Sequence, residues 1–278
     1  MNPPRLDELP SHAEQLPSLP EVVSYLMHSL GDDSADVDTI AHHINADPAI
    51  TARLLAAANS VGSGLSSPIH SARQAFIVLG VDRVVGIVLA SALIDRFDTG
   101  GDGFDARLLW RHSLGVATCA RLLGEHTNVN PDVAFTAGLL HDIGQLLMYI
   151  ASPEHYLVAL ELRRDGKMSV VASEQAVFGY DHTQAGRTLA QTWRLPTEIE
   201  EAISAHHSPD DSGREMGYLI HVSEVLSHAL DLGELSNNLV PDLSELACAD
   251  LGLSWPKLSA HFAEIEARYD GLRLALCL

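Results

Sequence analysis

The chain has 278 residues, 46% of them hydrophobic, and its 17 Lys and Arg stand against 37 Asp and Glu for a formal net charge of −20. That length suits one extended domain or two intimate helical lobes. That charge disfavours attraction to phosphate backbones or anionic lipid, so neither direct nucleic-acid binding nor membrane association is expected.

A mean hydropathy of +0.08 does not fit a disordered chain, and no stretch reaches the roughly 18 uninterrupted apolar residues of a membrane span. The segment from Met1 to Leu16 carries acids and prolines where a signal peptide needs a basic start and an apolar run. A cytoplasmic address is the expectation. Cys119, Cys248 and Cys277 are odd in number and lack metal or redox spacing, so they read as reduced thiols.

In chain order the apolar residues recur at helical spacing. Val22, Val23, Leu26 and Leu30 form one face, and Ile40 and Ile44 a second. Asp47-Pro48 offers an N-cap followed by proline at the first helical position, opening a helix with Ile50, Leu54 and Leu55 on its face. Asn59 and Ser60 can end that helix by local side-chain bonding, and Gly80 closes the next. The segment Ala75 to Ala92 comes nearest to a membrane span but is interrupted by Asp82 and Arg83.

The Gly/Asp cluster from Asp98 to Gly103 predicts a lobe boundary near residue 100, and Ser208 to Gly213 and Ser236 to Pro241 read as further turns. Arg163, Arg164 and Lys167 form a small basic patch, read as a solvated face. Leu195-Pro196-Thr197 followed by Glu198 to Glu201 marks another helix start. A last helix is predicted from Trp255 to Tyr269, with Leu258, Phe262 and Ile265 facing the second lobe. The fold class is all-α, with two packed helical lobes.

The chemistry gathers after residue 110. In Ala137-Gly-Leu-Leu-His-Asp-Ile-Gly-Gln-Leu-Leu147 an apolar helix places His141 beside Asp142. Helical neighbours point about 100° apart and converge on one ion from the edge of a groove. Imidazole with carboxylate suits Zn, Fe, Mn or Ni better than Ca. His112, His182 and His206-His207 add four histidines on other segments, and His206 continues the inward face of Ile199 and Ile203.

The order His112, His141-Asp142, His182, His206-His207 resembles the HD superfamily of metal-dependent phosphohydrolases. The resemblance implies one or two divalent ions (Fe, Mn, Zn or Ni) held by His112, His141, Asp142, His182, His206, His207 and a late carboxylate. It also implies metal-activated water attacking a phosphoester, with Asp142 as the catalytic carboxylate if the chain is a hydrolase. Two residues depart from the family pattern. Glu224 stands where aspartate is usual, and Gln145 where many relatives carry lysine.

A narrower resemblance rests on Leu16-Pro-Ser-Leu-Pro-Glu-Val-Val23, on Asp47-Pro-Ala-Ile-Thr-Ala-Arg-Leu-Leu55 with Asn59-Ser60, and on Ile69 to Gly80. These segments resemble the HDOD domain family. The likeness implies an HDOD domain over residues 13–230, with an N-terminal helical lobe at 13–97, a lobe resembling the HD helical core at 104–230, and a C-terminal helical extension at 231–278. Its implied function is that of a bacterial signal-transduction output module, acting on a signalling protein partner or a ligand without efficient catalysis. The alternative is a metal-dependent phosphohydrolase acting on a nucleotide or other phosphoester. His206-His207 runs into Ser208-Pro209-Asp210 rather than a Gly-Tyr-Pro element, which separates the chain from the related cyclic di-GMP hydrolases.

Overall fold

The computed structural model describes residues 3–13, 36–60, 68–96, 103–164, 168–212, 214–233 and 240–278. Among these residues every regular element is a helix. A 3-10 turn, Leu6–Glu8, leads into α1 (Leu9–Ala13), and a first lobe follows with α2 (Val37–Asn45), α3 (Pro48–Ala58), α4 (Ala72–Leu79) and α5 (Val81–Arg96). The predicted face at Val22 to Leu30 lies outside the described residues, as do most of the turn clusters at 98–103 and 236–241 and Lys167 of the basic patch.

The caps follow from the sequence. Asp47 accepts from the amides of Ala49 and Ile50, and Pro48 needs no acceptor at the first turn. Asn59 ends α3 by donating to the Leu55 carbonyl at 2.8 Å, and it also binds both backbone groups of Ile69, at 2.8 and 2.9 Å. One side chain thus terminates a helix and fixes the path of the chain ten residues later. Gly80, at φ +82°, lets α4 stop and α5 start without a linker. The apolar stretch at 75–92 is therefore two helices that turn at Gly80. Among the described residues the stretch apolar and long enough to cross a membrane is instead Pro131–Ala151, whose most apolar 18 residues are 89% buried within the protein.

The second lobe is built around α6 (Ala106–Gly124). It continues with α7 (Pro131–Leu140), α8 (Ile143–Ala151), α9 (Pro153–Arg164), α10 (Val170–Phe178), α11 (His182–Thr192), α12 (Thr197–Ala205), α13 (Pro209–Ser212) and α14 (Glu215–Ala229). Three further helices complete the chain: α15 (Glu245–Asp250), α16 (Trp255–Ser259) and α17 (Phe262–Ala275). α6 packs against α7, α14 and α17, while α8 crosses α11. α1 also lies on α8 and α11 with Leu9 fully buried, and Tyr180 donates its hydroxyl to the Pro4 carbonyl at 3.0 Å. The first described residues thus belong spatially to the second lobe.

Three local expectations are corrected. The helix predicted from Trp255 to Tyr269 is two helices, broken at Ala260–His261, and α17 packs on α3 of the first lobe as well as on α6. Pro209–Ser212 forms a short helix inside the predicted turn, because proline suits a first helical position. His141-Asp142 does not sit within one continuous helix but forms the joint between α7 and α8. That joint frees the two side chains from the 100° spacing of helical neighbours.

Candidate metal centre

The seven residues predicted as ligands come from five places in the second lobe: α6 (His112), the α7–α8 joint (His141 and Asp142), the start of α11 (His182), the end of α12 (His206 and His207) and α14 (Glu224). The fold brings all seven together. Asp142, His182, His206 and His207 each offer an atom within 4.8 Å of the others, and so do His112, His141 and Glu224. Asp142 is the hinge between the two groups. Its Oδ1 lies 3.1 Å from His182 Nε2 and 3.7 Å from His206 Nε2, and its Oδ2 lies 3.5 Å from His141 Nε2 and 3.9 Å from His112 Nε2. His207 joins them from the other side, Nε2 to His182 at 3.1 Å and Nδ1 to Glu224 at 3.7 Å.

The backbone fixes which nitrogen of each ring faces the centre. His141 Nδ1 donates to the Gly138 carbonyl at 2.7 Å, and His206 Nδ1 to Ile203 at 2.9 Å, each reaching back to the last turn of the helix it ends. His182 Nδ1 is held at 2.6 Å by Glu174, whose same oxygen accepts the His182 amide at 2.8 Å. With the three Nδ1 protons directed outward, three Nε2 atoms face inward. Buried His141 Nε2, Asp142 Oδ1 and His112 Nδ1 have no hydrogen-bond partner among the described residues.

These orphaned atoms fit a cation. Tetrahedral ligands at 2.0–2.1 Å from one ion stand about 3.3 Å apart, and the separations of His182 Nε2 from Asp142, His206 and His207 are 3.1, 3.3 and 3.1 Å. The His/Asp/Glu donor set suits the borderline divalent metals, and Glu174 on His182 is the kind of outer carboxylate that orients a ligating imidazole. The second group, His112, His141 and Glu224, fits a second ion more loosely.

The charges agree. Burial opposes ionisation of Asp142, but His141 and His182 outweigh it and hold its pKa well below the usual carboxylate range. Burial likewise works against a charge on His182, yet Glu174 and Asp142 raise its pKa well above the ordinary value. Burial keeps His112, His141 and His207 neutral and lowers His206 to about 4. Burial and the nearby Asp142 raise Glu224 well above its usual value.

Access is limited. Asp142 is 5% exposed, Glu224 4% and His112 4%, and His141, His182 and His206 are fully buried. Of the seven, His207 meets solvent, with 23% of its side chain exposed. It opens onto an acidic recess with Asp210, Asp211 and Asp242 on its walls. Gln145 is tied to this framework through its Oε1, which accepts from Tyr156 at 2.9 Å, and Tyr156 also reaches Glu174 at 3.3 Å.

Glu174 and His228 were not anticipated as parts of this site. Glu174 is 1% exposed inside Val-Val-Ala-Ser-Glu-Gln-Ala-Val-Phe178, and a charged residue on the inward side of so apolar a helix was the available signal. His228 has its ring 4.9 Å from His112. It lies one helical turn after Glu224, a spacing that puts both on one face.

The HDOD domain profile matches residues 16–209. An uncharacterized protein from Treponema pallidum is 22% identical over 74% of this chain and 40% of its own length, and a ribonuclease Y from Thermus thermophilus is 27% identical over 55% of this chain and 22% of its own. The chain spans less than half the length of these curated relatives. Among solved structures, an HDOD domain protein of unknown function from Geobacter sulfurreducens superposes with a TM-score of 0.78 at 27% identity, covering 96% of this chain and 98% of its own. A proposed phosphohydrolase from Shewanella amazonensis SB2B gives 0.78 at 22% identity, covering 96% and 97%. A proposed signal transduction protein from Marinobacter aquaeolei VT8 gives 0.74 at 22% identity, covering 100% of this chain and 62% of its own.

Proposed function

Since the chain belongs to the HDOD domain family, we propose that it is a signal-transduction output module that acts by binding a protein partner, and that its histidine cluster holds one or two divalent ions without efficient hydrolysis. The observation that carries this reading is the burial of the cluster. Six of the seven donors are buried, and the seventh opens onto carboxylates rather than cations. A phosphoester would have to pass three aspartates, and Gln145 brings no charge to hold it. An ion in such a setting ties together α6, the α7–α8 joint, α11, α12 and α14. It therefore stabilises the native lobe more readily than it turns over substrate.

When bound, a divalent ion would supply Lewis acidity and a lowered pKa for any water beside it. The chain's own contribution is orientation. Gly138 and Ile203 hold His141 and His206 through their carbonyls, and Glu174 holds His182. Asp142, kept ionised, lies within 4 Å of all four of His112, His141, His182 and His206.

The second reading is a metal-dependent phosphohydrolase, and the two adjoining donor groups favour it, since paired ions can clamp both oxygens of a displacement. The deciding experiment loads the full chain with Mn or Fe and measures metal content and hydrolysis of bis(p-nitrophenyl) phosphate and a short RNA. The reference is an Asp142→Asn variant of equal folding. Stoichiometric metal with hydrolysis no faster in the parent than in the variant is the expected result. Turnover that disappears with Asp142→Asn would overturn the binding-module reading in favour of the hydrolase.

A further inference from the structure

The cluster leaves unused a second concentration of polar groups, at the seam between the lobes. A narrow cleft of about 530 Å³ with its mouth, and a water-accessible interior of about 40 Å³, opens between α3, α5, α6, α7 and α17. Its walls are apolar at Ala57, Ile87, Phe135 and Leu272, and Arg83, Arg121 and Arg268 stand in it.

Two of the three guanidiniums are committed. Arg268 grips Glu125 through Nη1 at 2.8 Å and Nη2 at 3.2 Å and also pairs with Glu264, and Arg121 reaches Asp132 at 2.9 Å and Glu125 at 3.1 Å. Arg83 is half-buried beside them, within the field of Asp132 and Glu125 but with no hydrogen bond or ion pair to them among the described residues. Burial, then the like charge of Arg121, bring its pKa down to about 10, so at neutral pH it remains a cation with five donors and no acceptor. A guanidinium partly withdrawn from water against two others is destabilising unless an anion completes it.

We propose that this cleft binds a small monocarboxylate with an apolar body, its carboxylate on the free fork of Arg83 and its body against Ile87, Phe135 and Leu272. The planar fork matches two coplanar oxygens. Arg83 is the cation of the three without a contacting carboxylate, and a dianion would meet Glu125, Asp132 and Glu264, which pair with Arg121 and Arg268. The narrow interior admits a short or flat body rather than a nucleotide. Ala57, Arg83 and Ile87 come from the first lobe, Arg121 and Phe135 from the second, and Arg268 and Leu272 from the C-terminal extension. Occupancy therefore links all three parts of the fold, and it does not depend on the metal cluster. Thr118, which also lines the cleft, is six residues from His112, about 9 Å along α6.

The test is titration calorimetry of the full chain with benzoate, with benzyl alcohol and inorganic phosphate as comparison probes. One saturable benzoate site is expected, with no binding of the neutral alcohol and at least tenfold weaker binding of phosphate. Arg83→Met should weaken benzoate tenfold or more, while the ligand-free melting temperature stays level or rises because an unpaired charge has gone. Arg83→Lys keeps the charge without the fork and should lose most of the affinity, which also serves if the methionine variant folds poorly. The proposal fails if benzoate does not saturate a site, if both variants bind it as the parent does, or if phosphate binds as tightly.

Discussion

Gly144 is where fold and site can be perturbed with one methyl group. A Cβ there would stand 1.9 Å from the His182 carbonyl oxygen, 2.6 Å from the Gly186 amide nitrogen and 2.8 Å from the His182 carbonyl carbon, against an ordinary contact of 3.4 Å or more. All three are backbone atoms of α11, so no side chain can rotate away. Alanine at Gly144 requires α8 and α11 to part by roughly 1.5 Å, at or beyond the upper end of the 1–3 kcal/mol usual for overpacking. α11 cannot easily retreat, because Gly186 already backs onto Ile203, where its own added Cβ would meet Cγ2 at 2.7 Å. Gly144→Ala is therefore expected to lose about 3 kcal/mol and to melt about 6–12 °C lower. Because the displaced peptide belongs to His182, its imidazole leaves Asp142, and metal affinity should fall tenfold or more. Urea denaturation with the slope monitored, together with metal titration of the folded variant, reads both effects. A midpoint and a metal affinity equal to the parent's would refute the close crossing and its role in seating His182.

Glu174→Gln keeps the side-chain shape but removes the charge that orients His182, so metal affinity should drop roughly 10–100-fold with little change in helicity; unchanged metal binding would remove Glu174 from the site. Leu9→Ala should cost about 2–4 kcal/mol in chemical denaturation if α1 is part of the second lobe, and a loss under about 0.5 kcal/mol would mean that this segment is dispensable. Stripping metal with a chelator should lower the melting temperature by several degrees, since an ion at 100 times its Kd contributes about 2.7 kcal/mol; equal melting with and without chelator would count against a bound ion. Asn59→Ala deletes three hydrogen bonds of 2.8–2.9 Å and is expected to cost about 2 kcal/mol, checked by the same denaturation.

Much of the site was legible through the order of His112, His141-Asp142, His182 and His206-His207, whose resemblance to the HD superfamily implied a shared metal centre. His141, Asp142 and His206 stand out on segments that otherwise read as core, and Asp47-Pro48 and Gly80 mark helix ends that local chemistry alone fixes. The sequence also showed Glu224 as a carboxylate in a buried run, but not whether its extra methylene still lets it reach His112 and His141, which depends on where α14 lies against α6. Glu174 was missed because its task is to hold another ligand, and the apolar residues around it signal burial without saying which imidazole it meets. The break at Ala260–His261 was missed because both halves continue one apolar stripe.

Local sequence by itself determined the helical class, the caps and the inward face of His206, since these depend on spacing and on groups within a turn of each other. Only the tertiary structure decided that four other segments gather around the α7–α8 joint, that α1 returns to the second lobe, and that Arg83 shares a cleft with Arg121 and Arg268. Those relations span tens to nearly two hundred residues, and they are set by how buried faces pack, as at the Gly144–His182 crossing, rather than by any local pattern.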